Sequence, residues 1–243
     1  MIRTRLNRAV ASVVASALTR VPSLEQFVSA RSDERRLHIA LTRLGRRGLH
    51  IGTVYDIGAH RGDWTEAVGP SLPGARFILF EANNAHADAL KQSGRRHFIA
   101  ILTSEDKLVD FYATGGSGDS YYREVTPRYE VIEPRPLHAT TLDHMIEAHD
   151  LPLPDFIKAD VQGAELDVLR GGRDALGNAA LVLLECPLIE YNVGAPTIDE
   201  YFSFMDEHGF APIDFVKGLW QRRRMVQVDV LFVNARAHPD LIP

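Results

Sequence analysis

Four acidic side chains stand at or near the ends of short apolar runs, a placement typical of functional residues in α/β proteins. Asp56 lies near the end of "GTVYDIG", Glu81 ends "ARFILFE", and Asp160 closely follows "PDFIK". Glu185 ends a fourth run, "AALVLLE". Carboxyl ends of parallel strands meet at one edge of a sheet, where ligands bind. If the runs are such strands, we expect the four carboxylates to lie along one rim.

Asp56 is followed by a turn with two glycines, Gly58 and Gly62, in the stretch "VYDIGAHRGDWTEAV". Glycines let a chain turn tightly and let a ligand approach the backbone. The turn lacks the lysine of a P-loop and the G-x-G-x-x-G spacing of a dinucleotide site. An acid before the turn would repel a phosphate, although Arg61 could offset it. The same acid would attract a cation, and S-adenosylmethionine is a cationic nucleoside without phosphate.

Glu81 strengthens this interpretation, because it stands 25 positions after Asp56, at the end of the second predicted strand. A carboxylate at that place accepts both ribose hydroxyls of a bound nucleoside. The constellation predicts a cofactor site that also includes Ala59, His60, Ala82 and Asp160. Two structural alternatives stay open: Asp56 caps the turn, or Glu81 caps the next helix.

The elements that must position these residues alternate between apolar runs and helical stretches from residue 50 onward. This alternation predicts a Rossmann-like α/β fold with a mostly parallel, doubly wound sheet and a closing antiparallel strand. Helices are predicted in "DWTEAVGPSL", "NNAHADALKQSG", "TTLDHMIEAHD", "GAELDVLRGG" and "TIDEYFSFMDEHG", and two closing strands in "FAPIDFV" and "MVQVDVLFVNA". The irregular stretch 115–139 is predicted to be a functional loop or lid. In it, Tyr121, Tyr122, Tyr129, Ser117 and Asp119 either contact an acceptor or pack within the loop.

Composition narrows the classes of partner. The chain has 243 residues and a net charge of −5, so it has no overall basic field to attract nucleic acid. Its one cysteine, Cys186, cannot form an intramolecular disulfide and reads as a buried core residue. Neither C-x-x-C nor H-E-x-x-H spacing occurs, which disfavours a structural zinc. These features favour a cytoplasmic protein.

The first 49 residues are predicted to form an N-terminal helical extension, ahead of a domain spanning 50–243. Apolar residues fall on one helical face between residues 6 and 21, and arginines stand at 3, 5, 8 and 20. We interpret this segment as a packed or partner-binding helix, which would suit a homo-oligomer. A helix lying on a membrane surface is the second interpretation and a cleaved signal the third. The apolar run 9–18 is too short to span a bilayer.

Asp160 is the predicted general base for a hydroxyl acceptor, because it stands beside the cofactor rim. Lys158 lies two positions earlier, on the same face of the strand, and a buried lysine needs a partner. Asp160, Glu165 and Glu185 are the candidate partners. Lys158 and Asp160 then form either a catalytic pair or a structural ion pair.

Glu185, at the next strand end, is the third candidate catalytic residue. Together with Asp160 it could hold a divalent metal, since carboxylate oxygens are common ligands of such ions. His138 and Asn192 are the candidates for a third ligand. Neither residue is evident as a third ligand from the sequence, and we expect no obligatory metal.

Four blocks, "VYDIGAHRGDWT", "FILFEAN", "TTLDHM" and "DFIKADVQGAELDVLRGG", resemble in that order the FkbM-type methyltransferases. The resemblance covers roughly residues 50 to 235, and the last block is the most specific. It implies the class I S-adenosylmethionine-dependent methyltransferase fold. It also implies O-methylation, commonly of a sugar hydroxyl or of a polyketide-like natural product. On this chain it places Asp56, Gly58 and Gly62 at the methionine end of the cofactor and Glu81 at the ribose.

Two other functions stay open at this point. A NAD-dependent oxidoreductase on a related fold is disfavoured by the glycine spacing and by the acid before the turn. A methyltransferase-like binding module without catalysis is disfavoured by the acids retained at the strand ends. The acceptor of an active enzyme would be a small molecule or a glycan bearing a hydroxyl.

Overall fold

The computed structural model describes residues 35–113, 116, 118–125, 132–190, 192–221 and 223–242. Within them the strands are Thr53–Ile57 (β1), Arg76–Glu81 (β2), Arg96–Ile99 (β3), Ile101–Leu102 (β4), Lys107–Phe111 (β5), Arg135–Thr140 (β6), Phe156–Ala159 (β7), Leu181–Pro187 (β8), Phe210–Gln221 (β9) and Arg224–Asn234 (β10). The helices are 35–46 (α1), Asp63–Val68 (α2), Ala87–Gln92 (α3), Leu142–His149 (α4), Glu165–Arg170 (α5), Arg173–Asn178 (α6) and Ile198–Glu207 (α7). Short 3-10 turns occupy Gly69–Ser71, Asn84–His86 and Pro239–Leu241.

A seven-stranded sheet with the order β3-β2-β1-β7-β8-β10-β9 forms the centre of the molecule. Strands β3, β2, β1, β7 and β8 pair in parallel, whereas β10 pairs antiparallel with both β8 and β9. The predicted doubly wound sheet with a closing antiparallel strand is therefore confirmed. The chain leaves β1 for β2 on one side and returns at β7 on the other, and such a switch point is where ligands bind.

Both faces of the sheet are covered, because successive side chains of a strand point to opposite faces. In β1, Val54 joins one apolar core and Tyr55 and Ile57 join the other. The first core packs against α1, α2 and α3, and the second packs against α4, α5, α6 and α7. Continuous apolar runs such as "LVLL" follow from this double burial.

Side-chain caps begin two of the predicted helices. The Thr141 side chain accepts a hydrogen bond from the backbone N–H of His144 at the start of α4. Thr197 and Glu200 form a reciprocal capping box at the start of α7. Each cap satisfies backbone donors that the first turn of a helix leaves unpaired, which is why these helices begin where the sequence predicts.

The described part of the predicted N-terminal extension, α1, packs on the sheet. Leu37, Ala40, Leu41 and Leu44 are buried, with the spacing of one helical face, in the same core as β1. The apolar stripe predicted between residues 6 and 21 lies outside the described residues. Within the described ranges, no helix has the length and apolar character needed to cross a membrane.

The interpretation of 115–139 as wholly irregular is wrong at its end. Residues Arg135–Thr140 form β6, the middle strand of a small sheet with the order β4-β6-β5. Proline has no backbone donor and usually marks a break, so Pro134 and Pro136 hid the strand. Pro136 is tolerated because β6 meets β5 alone at that point, since its pairing with β4 is confined to Ala139 and Thr140. The sequence reading also missed helix α6.

Candidate active site

The glycine turn packs tightly between β2 and the end of β7. The backbone N–H groups of Gly58 and Ala59 both donate to the carbonyl oxygen of Phe80, at 2.9 and 3.0 Å. Gly58 has a φ of +73°, and a Cβ on it would lie 1.8 Å from the carbonyl oxygen of Asp160. Only glycine therefore fits here, and the turn is held against the strand end that carries the predicted base.

Glu81, at the end of β2, is held by two backbone donors. Its Oε2 accepts from the N–H of His60 and its Oε1 from the N–H of Asn83, both at 2.7 Å. A carboxylate oxygen has two lone pairs, so each oxygen keeps one for a ligand. The Asn83 side chain caps the following 3-10 turn by accepting from the N–H of Ala85. Glu81 is thus oriented in advance, and a different side chain caps the turn.

A cavity with about 660 Å³ of empty space, part of it open to solvent, lies beside the turn at the ends of β1, β2 and β7. We call it cavity A. Its described lining contains the carboxylates Glu81, Asp119 and Asp160 and neither lysine nor arginine. Burial, reinforced by His86, lowers the pKa of His60, so this ring is neutral near pH 7. Much of the remaining wall is apolar, formed by Ile57, Ala82, Ala100, Ile101, Leu102 and Phe111.

The lining of cavity A fits S-adenosylmethionine. Three carboxylates favour its positive charges, Glu81 offers two acceptor oxygens for a ribose, and the apolar wall suits an adenine ring. A dinucleotide would bring a pyrophosphate into a wall without a cationic side chain among its described residues, and nearby carboxylates would repel it.

Eight residues were predicted to bind the cofactor, and the structure places five of them in the wall of cavity A. The five are Gly58, His60, Glu81, Ala82 and Asp160. Asp56, Ala59 and Gly62 are not in that wall. Gly62 instead begins α2 with a φ of +86°, so the second glycine of the motif serves the turn itself.

Asp56 and Lys158 form a buried ion pair behind the turn, between strand neighbours β1 and β7. The Lys158 Nζ lies 3.0 Å from Asp56 Oδ1, and Thr65 Oγ1 donates to Asp56 Oδ2 at 2.7 Å. Lys158 also donates to the carbonyl oxygens of Gly58, at 2.9 Å, and Ile57, at 3.3 Å. The pair therefore fixes the turn from behind.

This geometry corrects two sequence-based expectations. Asp56 is fully buried, with a partner on each carboxylate oxygen, so it supports the turn and offers no surface to a ligand. The main partner of Lys158 is Asp56, which was not among the three candidates, and Asp160 follows at 3.8 Å. Burial alone would lower the pKa of Lys158, but Asp56 and Asp160 outweigh it and raise that pKa. Lys158 stays charged and cannot accept a proton.

Asp160 and Glu185 are joined by an amide that the sequence reading missed. Gln162 Nε2 donates to Asp160 Oδ1 at 2.9 Å and to Glu185 Oε1 at 2.8 Å. Burial acts to raise the pKa of Asp160, but Lys158 and Lys217 outweigh it and hold that pKa below its usual value. Burial, together with Asp160, raises the pKa of Glu185 well above its usual value. The pair therefore combines a carboxylate whose pKa is lowered with a carboxyl group whose pKa is raised.

Glu165 fixes the loop that carries Gln162. Its Oε1 accepts from the N–H of Val161 at 2.8 Å, its Oε2 accepts from the N–H of Gly163 at 3.1 Å, and the Tyr201 hydroxyl also donates to Oε2. Gln162, between these two amides, has a φ of +57°. Burial raises the pKa of Glu165 to about 7. A "DVQGAE" pattern after a buried strand is the only sequence signal for this arrangement.

The predicted aromatic loop residues are placed in part. The hydroxyls of Tyr121 and Tyr122 both donate to Asp167 Oδ2, at 3.1 and 3.0 Å. Of these two residues, Tyr121 lines cavity A. Asp119 accepts from the Asn83 side chain at 2.6 Å. Ser117 and Tyr129 lie outside the described residues. The described tyrosine hydroxyls thus serve the packing of the loop against α5.

The candidate metal ligands do not belong to a metal-binding cluster of three acidic, histidine or cysteine side chains in the described part of the chain. Within the described ranges, no group of three or more histidine, cysteine, aspartate or glutamate side chains could hold a metal. His138 is exposed on β6, and the Asn192 side chain donates to the Tyr122 carbonyl at 2.9 Å. Cys186 is buried in the core, as predicted.

Two further cavities adjoin this centre. Cavity B has about 850 Å³ of empty space and contains both Asp160 and Glu185 in its wall. Cavity C has about 1150 Å³ and contains Gln162 and Glu185 but not Asp160. Both volumes include space open to solvent. The Asp160–Gln162–Glu185 cluster therefore stands where three cavities meet.

A family model described as the methyltransferase FkbM domain matches residues 56–212. No curated protein matches the chain. Among solved structures, a precorrin-6y C5,15-methyltransferase from Geobacter metallireducens shares 14% identity, with a TM-score of 0.42 over 80% of this chain and 86% of that one. An S-adenosylmethionine-dependent methyltransferase from Clostridium acetobutylicum shares 7%, with a TM-score of 0.45 over 83% and 91%.

A magnesium protoporphyrin IX methyltransferase from Synechocystis, solved with bound S-adenosylmethionine, shares 9% identity, with a TM-score of 0.45 over 84% of this chain and 81% of that one. The overlaps with all three solved structures are distant, so the assignment to a family rests on the family model.

Proposed function

The chain belongs to the FkbM methyltransferase family, and we propose that it methylates a hydroxyl of a sugar, a glycan or a natural product. Its fold is the class I methyltransferase fold and its cofactor is S-adenosylmethionine. One observation carries the proposal of O-methylation: Asp160, an ionised carboxylate, stands in the walls of both cavity A and cavity B. A base at that boundary can contact an acceptor hydroxyl beside the cofactor.

The residues of cavity A hold and orient the cofactor. Glu81 binds the ribose hydroxyls with the lone pairs that His60 and Asn83 leave free. When bound, S-adenosylmethionine supplies a methyl group on a positively charged sulfur, and the acceptor oxygen displaces that sulfur. Because Gly58 has no side chain, the turn packs directly against the backbone of Asp160 and so brings the cofactor site beside the proposed base. Such positioning of two reactants can supply several kcal/mol of the rate enhancement.

Asp160 takes the proton of the acceptor hydroxyl. Its Oδ1 already accepts from Gln162, so Oδ2, which faces Lys158 at 3.8 Å, is the atom that receives the proton. The lowered pKa keeps Asp160 ionised near pH 7 and ready to accept it. Lys158 and Gln162 hold the carboxylate in place. A positioned base of this kind contributes roughly a hundred-fold or more to the rate.

Neither alternative function gains support from a specific observation. A NAD-dependent enzyme needs a wall that tolerates a pyrophosphate, and the described wall of cavity A carries three carboxylates and no lysine or arginine. A binding module without catalysis does not need an ionised carboxylate shared between two cavities.

We also place the reaction in the cytoplasm, with an acceptor that is not a nucleic acid. The single cysteine, Cys186, is buried and free, which suits a reducing compartment. The net charge of −5 offers no overall attraction to nucleic acid. A homo-oligomer and a peripheral contact through the N-terminal segment are proposals that sedimentation and vesicle binding would test.

Calorimetry with S-adenosylmethionine tests the cofactor site. Glu81→Ala should weaken binding tenfold or more, because the ribose loses a charged acceptor. Glu190→Ala, at an exposed glutamate on the rim of cavity C, is the matched control and should leave the affinity unchanged. Equal affinities in the two variants would contradict the assignment of Glu81 to the ribose.

Transfer of a radiolabelled methyl group to hydroxyl-bearing glycans and natural products tests the reaction itself. Product that survives mild base but not ether cleavage identifies an O-methyl group. Incorporation of label into nitrogen or carbon alone would overturn the proposal of O-methylation.

A further inference from the structure

Cavity B is the strongest candidate for the acceptor site, because the proposed base reaches it. Both cavity B and cavity C adjoin the catalytic cluster, but Asp160 lines B and not C. A hydroxyl must contact its base at hydrogen-bond distance during transfer. Cavity C contains only Gln162 and Glu185 of this cluster, and the Gln162 amide nitrogen is already occupied by Asp160 and Glu185.

The walls of cavity B divide into an apolar and a charged part. The apolar part combines Trp64 of α2 with aliphatic side chains from α1, α2, β7, β8 and β9. Trp64 packs edge-on against Phe156, with ring centroids 5.9 Å apart, and Lys158 Nζ lies 5.8 Å from the Trp64 ring centroid. The indole is therefore fixed by its neighbours rather than free in solvent. The aliphatic members are Leu37, Ala67, Val68, Ala159, Leu183 and Val216.

The charged part carries both signs. Lys217 of β9 faces Asp229 of β10 in the strand register, and Asp229 is the main cause that raises the pKa of Lys217. Asp63, Lys158, Asp160 and Glu185 belong to the same wall, and the Lys158 ammonium is already engaged by Asp56 and two backbone carbonyls. With carboxylates and the Lys217 ammonium side by side, this wall offers hydrogen-bond acceptors and donors together. It suits neutral hydroxyls better than a phosphate, which the carboxylates would repel, or a free ammonium, which Lys217 would repel.

We infer that cavity B binds the acceptor as a neutral ring with an apolar face against Trp64 and a hydroxyl edge against Lys217 and Asp229. The inference rests on the proposed function and adds the location and chemistry of the acceptor subsite. A saccharide ring has this character, with C–H groups on its faces and hydroxyls along its edge. The hydroxyl nearest Asp160 is the one that is methylated.

Intrinsic fluorescence tests the site directly, because the chain has only two tryptophans. The Trp220→Phe background removes the exposed tryptophan of β9 and leaves Trp64 as the reporter. The protein, saturated with S-adenosylhomocysteine, is titrated with a set of methyl hexopyranosides. We expect at least one to change the Trp64 emission saturably, whereas inorganic phosphate and choline do not.

Substitutions then locate the ring. In the same background, Lys217→Gln should weaken the responding glycoside tenfold or more, since a charged donor is lost. Lys107→Gln, at a half-buried lysine of β5 outside cavity B, and Glu190→Gln, on the rim of cavity C, are the controls and should leave its affinity unchanged.

Three results would overturn the inference: no hexopyranoside changes the emission, phosphate or choline competes with the glycoside, or Glu190→Gln weakens binding while Lys217→Gln does not. Failure here is separable from failure of the proposed function. If the wild type binds S-adenosylmethionine and methylates a hydroxyl while Lys217→Gln does so equally well, only the assignment of cavity B falls.

Discussion

Two aspartates flank the same lysine and differ in almost everything else. Asp56 lies 3.0 Å from the Lys158 ammonium, and its side chain is 0% exposed. Asp160 lies 3.8 Å from the same ammonium, and its side chain is 33% exposed. Both oxygens of Asp56 have protein partners, whereas Asp160 keeps an oxygen toward two cavities. Burial and distance from Lys158, rather than residue type, therefore distinguish Asp56, which supports the turn, from Asp160, which is available to an acceptor.

The difference shows how a cationic side chain can serve a site without taking part in the reaction. Desolvating the Lys158 ammonium is costly, and the ion pair with Asp56 compensates for that cost. The remaining field of Lys158 keeps Asp160 ionised and aligned. One buried charge therefore stabilises the turn on one side and the base on the other.

Removing the buried partner should have the largest effect. Asp56→Ala leaves the Lys158 ammonium buried without its main counter-ion, which should lower the free energy of unfolding by about 3–5 kcal/mol. Urea denaturation measures the loss. Glu66→Ala, which breaks the exposed pair with Arg95, is the control and should cost less than about 1 kcal/mol. Similar losses in both variants would mean that the buried pair does not support the fold.

Substitution of Asp160, the more exposed of the two aspartates, should lower turnover without affecting stability. Asp160→Asn removes the proton acceptor, so turnover of a hydroxyl acceptor should fall about a hundred-fold or more. The affinity for S-adenosylmethionine should stay within a few-fold, because Glu81 and the turn are unchanged. Single-turnover kinetics and calorimetry separate the two quantities. Wild-type turnover in this variant would remove Asp160 from the mechanism.

The pH dependence of stability should reveal the role of Glu165, which fixes the loop that carries Gln162. The pKa of Glu165 rises from 4.5 to about 7 on folding. Between these values the folded protein keeps a proton that the unfolded chain releases, so the contribution of Glu165 to stability is greatest below pH 4.5 and falls as pH rises toward 7. We expect a loss on the order of 1–3 kcal/mol, measured by urea denaturation at several pH values.

Glu165→Gln should flatten this part of the pH–stability curve, since a glutamine carbonyl can accept the same backbone donors without titrating. Glu190→Gln, at an exposed glutamate, should keep the wild-type slope. An unchanged slope in Glu165→Gln would show that another group binds the proton.

Removing the Gln162 amide, which joins Asp160 and Glu185, should have the smallest effect of the four changes considered. Gln162→Leu removes the donor shared by Asp160 and Glu185, and turnover should fall about tenfold. The Gln162 hydrogen bond helps to lower the pKa of Asp160, so its loss should move the acid limb of the pH–turnover profile upward. A tenfold loss without that movement would point to packing alone.

Much of the fold was predictable, because patterns in one segment determine each element. Apolar runs predict the strands of the main sheet, and the helices predicted in "TTLDHMIEAHD" and "TIDEYFSFMDEHG" are confirmed as α4 and α7. Strand β6 was not predictable in this way. Its proline, Pro136, is compatible with a strand only because β5 alone pairs with that part of β6, and this depends on distant residues.

The residues of the site also differ in whether one segment of sequence is enough to predict them. Glu81 and Asp160 follow from their places at strand ends, and both line cavity A. The Asp56–Lys158 pair and the Gln162 bridge depend on how β1, β7 and β8 lie side by side, which no single segment encodes. The sequence of this segment therefore predicts a ligand-binding acid at Asp56, although the neighbouring strand encloses that side chain.

Titration calorimetry with S-adenosylmethionine and, separately, with NAD tests the central claim that cavity A receives a cationic nucleoside without phosphate. The account predicts one S-adenosylmethionine bound per chain, retained in Asp160→Asn and weakened tenfold or more in Glu81→Ala, with no measurable binding of NAD. Saturable binding of NAD that Glu81→Ala abolishes, together with no heat from S-adenosylmethionine, would contradict it.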